Sequence, residues 1–70
     1  MTLIDQLPTE YIAQSIPPGY KLPIPNNLKC ECGDFIAAND HGQFKVAQPG
    51  DWVFGKVEHN WILVVYTFKL

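Results

Sequence analysis

Arginine is absent from this 70-residue chain, and its positive charge rests on five scattered lysines, Lys21, Lys29, Lys45, Lys56 and Lys69. Nucleic-acid binders cluster positive charge, and guanidinium forks are their commonest readers of phosphate and guanine. With a formal net charge of −2, direct binding to DNA or RNA is not expected. Charge of either sign is scarce: charged residues make up 17% of the sequence against 47% hydrophobic. That balance excludes intrinsic disorder and leaves little polar cover for the apolar surface. Nor is there a long hydrophobic run. The longest, Trp61–Tyr66, is too short for a bilayer, and no basic start followed by an apolar segment stands near Met1, so a soluble, intracellular protein without membrane contact is expected.

Cysteine is equally sparse. Cys30 and Cys32 are one residue apart; in a regular strand their side chains share a face but diverge, which makes a mutual disulfide strained. Reduced thiols follow. A tetrahedral zinc site needs four soft ligands, and Cys30, Cys32, His41 and His59 are those available. Cys-x-Cys lacks the usual two-to-four-residue gap and the histidines fall in separate turns, so neither metal nor other cofactor is expected. Nothing resembles a phosphate-cradling glycine loop, a strained nucleophile elbow or a carboxylate pair. The reading is of a protein that is not an enzyme.

What is present is concentrated at the C-terminal end. Asp51–Leu70 holds both tryptophans and the longest apolar run, and reads as two β-strands, Trp52–Val57 and Trp61–Phe68, joined by a turn at Glu58-His59-Asn60. Upstream, Leu3, Leu7, Tyr11 and Ser15, flanked by Ile4, Ile12 and Ile16, give the only stripe of helical period. Pro8 interrupts it, predicting a short turn over 2–6 and a helix from Pro8 to about Ser15, ended by Pro17 and Pro18. Residues 17–27 carry four prolines and form a stiff connector. It reads either as a surface loop or as an edge segment with Tyr20, Leu22 and Ile24 turned inward.

Two more strands are expected, one from about Leu28 or Asp34 to Ala38 and one over Gln43–Ala47, with Asn39–Gly42 as hairpin loop and Gln48–Asp51 as the next connection. The whole reads as one α+β domain: a short N-terminal helix (1–16), the connector (17–27), and a strongly curved antiparallel meander of three to four strands (28–70). With these loops Phe35 pairs Val46 and Ala37 pairs Phe44, and a turn on His59-Asn60 sets Val57 against Ile62; parity then puts Phe35, Ala37, Phe44, Val46, Val53, Val57, Ile62, Val64, Tyr66 and Phe68 on one face. The opposite face is also apolar, with Ile36, Ala47, Trp52, Phe54, Trp61, Leu63 and Val65. One short helix cannot cover both. Either the sheet curls, with Gly55 as a bend or a seat for a ring such as Phe44, or a second molecule covers the rest.

Trp52 is assigned to the core beneath the helix, against Tyr11 or Leu7. Trp61, beside the turn, reads as core or as a candidate contact anchor, and Asp34, Asp40, Asp51 and Glu58 as turn formers or as a candidate acidic rim.

At VAQPGDWV (46–53), followed by the apolar strand ending Tyr66-Thr67-Phe68, the chain resembles small accessory proteins of bacteriophages and prophages with a Pro-Gly-Asp-Trp turn. The resemblance covers about Gly42–Phe68. It implies a setting in the bacterial host cytoplasm and a role in binding a host protein or nucleoprotein complex as inhibitor or modulator; in length, charge and lack of catalytic motifs the chain looks like anti-CRISPR proteins. The alternative is a small virion or tail component that self-associates, for instance as a homodimer, through the second apolar face.

Overall fold

The computed structural model describes residues 8–70. The turn expected over 2–6, and Leu3 and Leu7 of the helical stripe, lie outside the described residues. A short helix, α1 (Thr9–Ser15), precedes five strands: β1 (Lys21–Pro23), β2 (Phe35–Ala38), β3 (Phe44–Val46), β4 (Trp52–Glu58) and β5 (Trp61–Lys69). The strands form one curled antiparallel sheet, a half-barrel in the order β1-β5-β4-β2-β3.

Pro8 stands immediately before the helix in extended geometry (φ −67°, ψ 152°), a conformation its ring favours, and its carbonyl accepts the amide of Ile12 at 3.2 Å. Ile16 terminates α1 in extended geometry, as the residue before Pro17 must. Of this helix only Ile12 is buried, so the element is held by one side chain in the core and by Ile16 at its margin. The connector supplies the edge strand β1, paired with β5 through Leu22 and Ile62. Pro23 is tolerated there because an edge strand leaves one side of its backbone unpaired. Leu22 is buried, Ile24 is half-buried and Tyr20 is exposed, so the inward turn expected of all three holds for the first two.

The hairpin of β4 and β5 matches the expected register next to its turn, with Val57 opposite Ile62 and Glu58 opposite Trp61. His59 supplies the positive φ (55°) that lets a two-residue loop follow the strands' twist. The expected meander fails upstream. β3 does not pair with β4; β2 lies between them, antiparallel to both. β3 and β4 therefore run in the same direction, and the link through Ala47–Asp51 must return along β2 while crossing to its other side. Lys45, in register with Ala37, bonds Asp51 at 3.0 Å, which keeps this link on the side of the sheet away from the core.

Register corrects the expected faces. The β2–β3 pairing sets Ile36 against Val46 and Ala38 against Phe44, one residue off the expected Phe35–Val46 and Ala37–Phe44. Asn39 closes this loop: its Oδ1 accepts the amides of His41 (2.8 Å) and Gln43 (3.0 Å), and its own amide bonds the Gln43 carbonyl, adding Gln43 to the turn. A second shift lies between β2 and β4, where Ile36 faces Gly55 but Ala37 faces Val53, leaving Phe54 as the extra residue of a bulge. Each one-residue slip exchanges the two faces. The core thus comprises Ile12, Leu22, Ile36, Phe44, Phe54, Val57, Ile62 and Val64, with Ile24, Leu28 and Cys30 of the β1–β2 loop packed against it. Phe54 was expected on the opposite face; its ring meets Phe44 at 4.9 Å between centroids.

The other face covers its own middle. Ala37 and Val53 are buried although neither belongs to the core cluster. Beside them Phe35 and Phe68 meet edge to face at 5.3 Å. Tyr66, expected among the inward residues, is 82% exposed, since the β4–β5 register also shifts between Val53 and Gly55. Gly55 is a close approach: a Cβ there would come within 2.5 Å of Ile62 Cγ2 and 3.2 Å of the Leu63 carbonyl oxygen. The neighbour that needs the glycine is therefore Ile62, not Phe44.

Candidate functional site

Strand direction sorts the candidate residues between the two ends of the half-barrel. At one end, the turn before β2 is tied by the Asp34 carboxylate, which accepts the Glu31 amide at 2.8 Å, and by the Asp34 amide donating to the Glu31 carbonyl at 3.0 Å. The loop is docked on β4 by Gly33 N–H to the Val57 carbonyl and Val57 N–H to the Asp34 carbonyl, both 2.8 Å. Asp34 therefore stands beside the last residues of β4, where Glu58 lies opposite Trp61. Trp61 is half-buried; Lys21 Nζ sits 4.3 Å from the centroid of its ring and the His59 ring lies 6.1 Å away. This tryptophan already has a cation on its face, supplied by β1.

Asp40 does not join the other three. It lies beyond the far end of β2, roughly 15 Å or more from Asp34 at a strand rise of about 3.3 Å per residue. Its neighbourhood is a cleft of about 620 Å³ between α1 and the open end of the sheet. The helix and the residue before it contribute Pro8, Glu10 and Ala13; the sheet and its loops contribute Ala38, Asp40 and Trp52. Trp52 is 55% exposed. Its expected place in the core is taken by Phe54, because the bulge turns Phe54 inward and leaves the indole at the cleft wall. Tyr11 is also exposed and is no lid for a buried ring.

Asp51, at the cleft margin, is held by the Gln48 amide at 2.8 Å and by Lys45 at 3.0 Å. The backbone bond first, then the lysine, keeps its carboxyl below the usual aspartate range. Cys30 is half-buried against the core; burial, then the nearby negative charge of Asp34, pushes its thiol up, whereas Cys32 is exposed. Among the described residues no three His, Cys, Asp or Glu side chains are grouped to hold a metal, and no helix is long and apolar enough to cross a membrane.

Trp52 stands beside the helix as expected, but at a cleft and exposed instead of buried in the core. A local signal existed: Asp51-Trp52 directly follows Pro-Gly, and a strand's first residue lies at the sheet's end, where cover is thin. No protein-family model, curated protein or solved structure matches the chain.

Proposed function

We propose that the chain is a non-catalytic binding protein of phage origin that occupies a surface of a host protein or nucleoprotein complex, in the manner of an anti-CRISPR inhibitor. The observation that carries this reading is the pairing of surface aromatics with carboxylates: Trp52 near Asp40, and Trp61 near Glu58 and Asp34. Aromatic side chains dominate binding energy at interfaces, and acidic groups steer a partner whose basic surface is built for nucleic acid. Affinity capture from host lysate tests it. One stoichiometric partner, lost as salt rises and weakened by a Glu58→Gln/Trp61→Phe variant, is expected; a preparation that retains no partner at low salt counts against it.

A second reading, a small structural component that assembles with itself, is favoured by the outer face, where Phe68 remains 37% exposed and Trp61 and Leu63 are half-buried. Sedimentation separates the two. A symmetric multimer at micromolar concentration, with no host partner, supports assembly.

A further inference from the structure

Resting on the reading of the chain as a protein-binding module, we infer that the cleft between α1 and β4 is the receptor for an arginine side chain from a basic segment of the partner. The two tryptophans make the case by contrast. Trp61 carries Lys21 over its ring at 4.3 Å. Trp52 has no such cation among the described residues, although its ring is more exposed. An electron-rich face left open is a site for a partner's cation, and a planar guanidinium stacks on it better than an ammonium does.

The rest of the cleft suits the same occupant. Among the described residues, its lining includes the carboxylates of Glu10, Asp40 and Asp51 and no lysine or histidine. Lys45 holds Asp51 from outside the lining, whereas Glu10 and Asp40 have no ion pair among the described residues. Pro8, Ala13 and Ala38 add small apolar surfaces along which an aliphatic stem can lie. The volume, about 620 Å³, is ample for an arginine side chain together with flanking residues of an extended segment. Lys69, in register opposite Trp52 and so on its face, is exposed and does not line the cleft, where Glu10 and Asp40 leave the balance negative.

The test uses the two indole N–H signals in an NMR titration of the full chain with N-acetyl-Gly-Arg-Gly-amide and with its citrulline counterpart, which keeps the shape and removes the charge. The expected result is a saturable shift of the Trp52 signal with Trp61 unmoved. The arginine peptide should bind about tenfold more tightly than the citrulline one, and Glu10→Gln/Asp40→Asn should remove most of that preference. Equal binding of the two peptides, shifts spread over both indoles, or a Trp52 signal that moves only with protein concentration, as self-association requires, would overturn the inference. Partner capture with a Trp52→Phe/Asp40→Asn variant keeps the failures distinct. A host partner retained at undiminished affinity refutes the cleft while leaving the binding reading intact; a peptide-binding cleft without any captured partner does the reverse.

Discussion

Replacing Gly55 by alanine sets two opposed effects against each other at one position. Alanine restricts the unfolded chain, which by itself stabilises a protein by about 0.4–1 kcal/mol wherever the native backbone accepts it. Gly55 does not lie in the left-handed region, so the backbone raises no objection. Packing does. The new methyl would sit 2.5 Å from Ile62 Cγ2 and 3.2 Å from the Leu63 carbonyl oxygen, and Ile62 is fully buried among core side chains with no room to retreat. Overpacking of this kind costs about 1–3 kcal/mol. The clash wins, with a net loss of roughly 1–2 kcal/mol from a domain whose size supports only about 3–5. Since each kcal/mol moves the midpoint by about 4–8 °C in a domain of this length, thermal unfolding should shift down by roughly 4–16 °C. Urea unfolding with a lowered midpoint and an unchanged m-value shows that stability fell without a change in the compactness of either state. A Gly55→Val chain should fail to fold. If Gly55→Ala melts at or above the parent temperature, Ile62 does not fill the space above Gly55, and the account of the β4–β5 packing is wrong.

Three further perturbations probe the turns that set register. His59 occupies the left-handed region (φ 55°), at a cost of about 1–2 kcal/mol that glycine does not incur; allowing for glycine's own entropic cost, His59→Gly should raise stability by roughly 0.5–1 kcal/mol in urea unfolding. Asn39 accepts the amides of His41 and Gln43 through one oxygen, so Asn39→Ala should cost about 1–2 kcal/mol and Asn39→Asp, which keeps the acceptor, much less, in the same assay. Asp51 has a depressed pKa in the folded chain, so its contribution to stability is present above the unfolded-state aspartate value and is lost as pH falls through the folded one. Asp51→Asn should therefore lower the midpoint at neutral pH and flatten its decline in acid; an acid limb identical to the parent's would show that the Gln48 and Lys45 bonds contribute nothing.

Local chemistry determined much of this protein before any folding. Pro8 and Pro17 bracket α1, and the two-residue turn at His59-Asn60 fixes Val57 against Ile62. These features depend on backbone geometry within a few residues, which the chain carries wherever it goes. The alternation of Tyr20, Leu22 and Ile24, by contrast, left a surface loop and an edge segment equally open until pairing with β5 decided it. Which strand lies beside which was not legible in this way. Alternation says which residues share a side within one strand, but not how one strand is offset from the next, and an extra residue in either reverses the answer. Tertiary pairing placed β2 between β3 and β4, enlarged the Asn39 loop by Gln43, and bulged β4 at Phe54. That single extra residue decided that Phe54 fills the core while Trp52 stands at the cleft. Asp40 is kept from Asp34 simply by the length of β2, but it became the tryptophan's neighbour because the far end of β2 faces α1, a proximity no spacing along the chain encodes.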